Sequence, residues 1–201
     1  MFDARQPEKV GILPVGTVGF LNSGWWGVWT VIATEAALFG YLLFSYLYLA
    51  VTDRAHWPPE GPPTLQTGLI GTAVLLGSSV VVWGAERLLA KNRRGAALAA
   101  MALAIVMGVV FVVLQLQEWR HHTYGPSTHL YGALYFTITG FHLAHVAVGL
   151  VVLTMLALWM LLGHLDAQRR APLTIGNTYW HFVDAVWLFV FATLYLSPYL
   201  L

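Results

Sequence analysis

The chain contains no cysteine, and only 9% of its 201 residues are Asp, Glu, Lys or Arg. Without cysteine there are no disulfides, no thiolate metal sites, no attached c-type haem and no cysteine-held iron–sulfur cluster. A soluble domain carries roughly 25% charged residues. The scarcity of charge therefore excludes a solvated surface wrapped around one buried core. Neither sign dominates, since the formal net charge is +1, and the basic residues are explained by loop placement. Nucleic acid is not an expected partner. The Walker loop, the G-x-S-x-G elbow and the H-E-x-x-H pair are also missing, and with them the usual hydrolase and nucleotide-driven chemistries.

What is present is apolar: 58% of the chain. The apolar runs cover residues 25–50, 67–90, 95–119, 130–163 and 174–196, and each reaches the roughly 20 residues that cross a bilayer as a helix. They are continuous and lack two-residue alternation, which favours helices over barrel strands. The expected fold class is an all-α polytopic membrane protein of five transmembrane helices. The fourth run would be about 51 Å long as a helix and should tilt or project from the membrane. Residues 25–201 read as one membrane domain without an internal repeat, preceded by a tail, 1–24. That tail lacks the basic start and short apolar run of a signal peptide, so the first apolar segment is expected to be retained.

Orientation follows Lys and Arg in short loops. Five spans put the N-terminus, second loop and fourth loop on one side, with Arg5, Lys9, Arg87, Lys91, Arg93, Arg94, Arg169 and Arg170; the other side holds Arg54 and Arg120. The N-terminus is expected in the cytoplasm and the C-terminus outside. The first external loop, 51–66, carries Trp57-Pro58-Pro59 and Gly61-Pro62-Pro63 and should be a compact extended cap. Lys91 to Arg94 make a tight basic turn. The second external loop holds His121, His122, Gly125 and Pro126. Trp25, Trp26, Trp29 and Tyr199 read first as interfacial anchors.

Ionisable groups at bilayer depth are costly, so each is either functional or a satisfied packing contact. Glu35 has no cation within one turn and is a candidate for proton exchange or lipid-headgroup contact, or else a neutral acid bonded to another helix. Gly108, Phe111, Gln115 and Glu118 share a face of the third helix, with Glu118 toward its external end. Thr139, His142, His145 and Gly149 share a face of the fourth. H-x-x-H is a weak metal signal, and buried imidazoles also simply bond to carboxylates. Asn177, His181, Asp184 and Leu188 line one face of the fifth, where His181 and Asp184 could pair or share a proton, flanked by Trp180 and Trp187. No Glu-x-x-His occurs, which removes the di-iron bundle pattern. A haem between the fourth and fifth helices stays open as a minor alternative.

Four blocks carry a likeness to a known family: Thr34 to Phe39, Leu114 to Trp119, Thr139 to Val146, and Tyr179 to Phe189. In these blocks, and in their order, the chain resembles subunit III of the haem-copper oxidases, cytochrome c oxidase subunit III, in its shorter bacterial five-helix form. Leu143-Ala144 replaces the more usual Gly-Leu, leaving both histidines in register. The resemblance implies the family's seven-helix fold without its first two helices, a cleft holding phospholipids, and a place in the bacterial inner membrane. It implies no haem or copper on this chain and no catalytic residue; those metals belong to the partner, subunit I, with subunit II also in the complex. Glu35 matches the family's buried, carbodiimide-reactive carboxylate near the lipid cleft. Gln115, Glu118, His142, His145, His181 and Asp184 match its internal polar network. The implied role is to sustain proton uptake and the lifetime of the partner's active site. An accessory subunit of a quinol oxidase or nitric oxide reductase is the nearest alternative. A proton-coupled transporter would be expected to show repeated halves with broken helices around a midplane site, and neither is evident.

Overall fold

The computed structural model describes residues 23–53, 57–61 and 63–200. The expected tail, with Arg5 and Lys9, lies almost wholly outside the described residues, as do Arg54 and Pro62. Five helices long and apolar enough to span a membrane follow one another: α1 Ser23–Thr52, α2 Leu65–Ala90, α3 Arg94–His121, α4 Leu130–Leu162 and α5 Ala171–Phe191. A π-helical turn, Ala192–Leu196, and a short α6, Ser197–Leu200, prolong the last. No strand occurs among the described residues. The chain is a multi-pass membrane protein.

Each helix stops where its own sequence requires it. After α2, Asn92 takes a φ of 59° while the Arg93 and Asn92 amides return to Leu88 and Leu89 oxygens, a left-handed cap that reverses the chain within the basic turn. Gly163, at φ 87°, ends α4 in the same way, with His164 and Gly163 amides on Trp159 and Met160 oxygens. The Arg94 guanidinium then reaches across from α3 to the Leu161 carbonyl at 2.5 Å. At its other end α4 is capped by His129, whose Nδ1 accepts from the Gly132 amide at 2.9 Å.

The fifth span does not run on as a uniform α-helix to Leu196, as the apolar run suggests. Pro198 has no N–H for the Leu194 carbonyl four residues back, and its ring crowds that carbonyl. The helix widens just before it, so that the Ser197 amide bonds to Ala192 oxygen, five residues back.

Helices α2, α3, α4 and α5 close a ring in which α2 packs most extensively on α3, and α1 lies against α5 and α4. The α3 stripe Ala97, Met101, Ala104, Gly108, Phe111, Gln115 and Glu118 is buried at alternating spacings of four and three, the period of a left-handed helix pair. Trp180, Trp187, Tyr135 and Phe111 fill the centre. Large apolar side chains on the outside of the helices, among them Tyr41, Val80, Val106, Val151 and Phe189, are exposed. Such a surface requires lipid or partner protein rather than water.

Candidate functional site

The polar side chains singled out from the sequence do not form one network; they separate into three groups at different places in the bundle. On α1, Glu35 is half-buried and its Oε2 lies 2.9 Å from Nε2 of His145 on α4. The other nitrogen, Nδ1, lies 2.6 Å from the Phe141 carbonyl oxygen. A carbonyl can only accept, so Nδ1 must carry a hydrogen and a neutral ring presents Nε2 as a lone pair. The Glu35–His145 contact therefore contains one proton, on either the carboxyl or the imidazole. Phe39 packs edge-on to both His145 and His142.

His142 does not join this pair. Its ring is wholly buried between Phe39, Phe111 and Trp187, and neither nitrogen has a hydrogen-bond partner. The H-x-x-H spacing thus points two imidazoles in different directions, one to a carboxylate and one into an aromatic box. Among the described residues no three His, Cys, Asp or Glu side chains come together to hold a metal.

The second group lies on the α2–α5 seam. His181 and Asp184, one turn apart on a helix face, could pair directly. Instead both reach Ser79 of α2: the hydroxyl is 2.7 Å from His181 Nδ1 and donates to Asp184 Oδ2. Asp184 Oδ1 is buried without a partner. The face does not extend to Leu188, which is exposed. Toward one end of the seam Glu86 accepts from Thr174 at 2.6 Å and Asn177 at 3.0 Å. Toward the other, Trp187 donates to Thr72 at 2.9 Å, and in the middle, beside Ser79, Trp180 donates to Ser78 at 3.0 Å. Thr72, Ser79 and Glu86 are spaced by seven along α2, and Asn177 and Asp184 by seven along α5. Glu86 and Ser79 were missed because Glu86 precedes Arg87 at a helix end and serine is unremarkable in an apolar run. The matched seven-residue spacing was the available signal.

Two glycines seat the largest side chain of that seam. A Cβ on Gly149 would lie 2.7 Å from the Trp180 ring, and one on Gly108 would lie 2.9 Å from it. Only glycine lets α3 and α4 approach the indole this closely.

The third group is at the opposite end from the basic turn, where the two long loops meet. Glu118 is nine-tenths buried, and its Oε2 accepts from Tyr195 at 2.8 Å; the Tyr195 and Tyr135 hydroxyls are 3.2 Å apart. The π-helical turn carries Tyr195 to this position. Gln115 is buried nearby on the same stripe, its amide nitrogen unpartnered. Glu60 of the first long loop accepts from Thr123 of the second at 2.6 Å, with His129 Nε2 at 3.8 Å. Burial holds the His122 imidazole below its ordinary 6.5, Glu60 opposing and His121 adding to the effect. Burial likewise pushes the Tyr124 hydroxyl up to about 12.

The model of cytochrome c oxidase subunit III matches residues 17–199. The chain belongs to that family. The cytochrome c oxidase subunit 3 of Pan troglodytes is 32% identical over 177 residues, 85% of this chain and 68% of the relative. The human subunit gives the same identity and coverage. That of Danio rerio is 37% identical over 142 residues, 69% of this chain and 54% of the relative. As a subunit III, the chain is part of an oxidoreductase complex with other oxidase subunits.

Proposed function

We propose that the chain is the metal-free core subunit of a haem-copper terminal oxidase, docked on the metal-bearing subunit I of a complex that also contains subunit II. It forms one membrane domain with the N-terminal tail cytoplasmic and the C-terminus external, in the inner membrane of a bacterium. There it holds phospholipids and sustains proton uptake and the lifetime of the partner's active centre. The observation that carries this reading is the 2.9 Å contact between the Glu35 carboxyl, on the least covered helix of the bundle, and His145 Nε2. A carboxyl and an imidazole in contact can each hold a proton, so the pair can take one up from a neighbouring donor and pass it on to a neighbouring acceptor, which suits a place beside a proton-uptake route.

Lipid retention is supported by the groove between the beginning of α1, the end of α4 and the beginning of α5. Gly24, Met155, Trp159, Ile175 and Gly176 line an apolar stretch of about 390 Å³. It continues through Trp159 and Pro172 into about 460 Å³ that ends at His164 and Arg169. Acyl chains would lie in the apolar part, and the phosphate would meet the guanidinium.

The deciding experiment is purification through a tag on this chain in mild detergent, with mass spectrometry of its companions and a reduced-minus-oxidised visible spectrum. A large haem-bearing subunit that co-purifies, with no haem left on this chain after dissociation, is the expected result, and its companions give the electron-donor class. A haem that stays with the isolated chain, or purification without partners, overturns the proposal.

A further inference from the structure

The cavity between the loop ends of α2 and α3 has no part in the reading above. It measures about 530 Å³, and among its lining residues are Glu60, Thr67, Leu114, Gln117, Glu118, His121, His122 and Tyr124, with no Lys or Arg. Its charged groups are two carboxylates, beside hydroxyl, amide and imidazole groups that can each accept as well as donate. Glu118 is nine-tenths buried, and with Oε2 taken by Tyr195 its Oε1 has no hydrogen-bond partner among the described residues. Glu60 uses Oε2 for Thr123 and leaves Oε1 with His129 at 3.8 Å. His121 Nδ1 is 2.7 Å from the Gln117 carbonyl oxygen; it must donate there, which leaves Nε2 of the neutral ring as a lone pair. His122 brings no positive charge at neutral pH, because burial holds its imidazole below 6.5.

A buried carboxylate with a free oxygen, a second carboxylate and an imidazole, with no Lys or Arg in the lining, favour a positively charged ligand. A bare divalent metal does not fit, since no three ligating side chains converge among the described residues. The other walls decide the class. Leu114, Pro63 and the ring of Tyr124 add apolar lining; this suits the carbon stem behind a charged nitrogen. We propose that the cavity binds a primary alkylammonium group, its three N–H donors shared among Glu118, Glu60 and the neighbouring His121 or Gln117. The group can arrive as a water-soluble amine or as the amino headgroup of a lipid in the adjoining leaflet.

The test uses the assembly purified through this chain and reconstituted in nanodiscs. It reads binding rather than oxidase turnover, so it succeeds or fails independently of the oxidase assignment. In discs of phosphatidylglycerol alone, radiolabelled ethanolamine should bind saturably and once per chain, and Glu60→Gln should weaken it roughly tenfold, the loss of one charge-assisted hydrogen bond. In discs of equal phosphatidylethanolamine and phosphatidylglycerol, native mass spectrometry counts the amino lipid retained on the protein. One fewer in Glu60→Gln, with no binding of free ethanolamine, assigns the site to the lipid. Leu114→Phe, which narrows the cavity at its apolar wall and keeps both carboxylates, should lower occupancy in whichever arm is positive. No ethanolamine binding together with an unchanged lipid count overturns the proposal. So does binding that neither Glu60→Gln nor Leu114→Phe alters.

Discussion

The Nε2 of His145 lies 2.9 Å from Oε2 of Glu35 while its Nδ1 is committed to the Phe141 carbonyl, so the two residues, 110 positions apart in sequence, hold one proton between them. Glu35→Gln keeps a donor for Nε2 but removes the transferable proton. Assembly should be retained, with a stability change within about 1 kcal/mol, while turnover of the complex, its pH dependence or its inactivation lifetime changes. If all three match the wild type, Glu35 is a packing residue.

Ser79 bridges two ionisable side chains on α5. Ser79→Ala would leave Asp184 with neither oxygen paired and His181 without its partner. A buried polar group left unpaired costs about 1–3 kcal/mol. The variant should denature earlier in a detergent thermal-shift assay, and pairing it with Asp184→Asn should recover part of the loss. A loss that is simply additive would show that the three side chains are not coupled.

Gly149 gives Trp180 its seat. Gly149→Leu places a side chain where even a Cβ would stand 2.7 Å from the indole, and overpacking of this kind costs about 1–3 kcal/mol. Lower yield and an earlier thermal transition are expected. Gly84, in the interior of α2, whose Cβ would meet nothing within 4 Å, is the control, and Gly84→Ala should be neutral to stabilising by up to about 1 kcal/mol.

His122 gives the loop end an acid sensitivity of known sign. Its folded-state pKa is held below the ordinary 6.5, chiefly by burial. Above 6.5 the ring is neutral in both folded and unfolded chains and stability is full. As the pH falls below 6.5 the unfolded chain takes up a proton that the folded one refuses, and stability declines until the folded value is passed. His122→Phe, which keeps the ring among Tyr124, Tyr135 and Phe136, should flatten the thermal transition between pH 6.5 and 5. An equal slope in both proteins would remove His122 as the cause.

The absence of native cysteine makes topology directly measurable. Ser127→Cys in the second long loop should react with a membrane-impermeant maleimide on intact cells, whereas Asn92→Cys in the basic turn should react after the membrane is opened. The reverse pattern would invert the proposed orientation.

How much was legible beforehand depended on the range of the interaction. Five spans follow from continuous apolar runs, because a backbone in lipid must satisfy its own hydrogen bonds, and the observed helix ends fall within three residues of those runs except at the π-helical turn. Pro198 marked that exception locally. The buried α3 face was equally readable, since its spacing of three and four is a property of one helix. Partners were another matter. Nothing in Thr34 to Phe39 names His145, and the i, i+3 spacing of His181 and Asp184 suggested a direct pair where Ser79 of another helix intervenes.

The sequence by itself determined the solvent, the number of helices and the family, because hydrophobic length, loop signals and ordered blocks are written along the chain. The tertiary structure decided which polar groups are joined. Among so many apolar positions several polar seams are compatible with the same helices, and only the antiparallel register of α2 on α5 sets Glu86 by Asn177, Ser79 by Asp184 and Thr72 by Trp187. It also decided that His142 is enclosed by aromatic rings while His145, one turn on, shares the proton of Glu35. Helical geometry turns residues three positions apart by about 300°, or 60° short of a full circle, enough for two neighbours in sequence to face different helices.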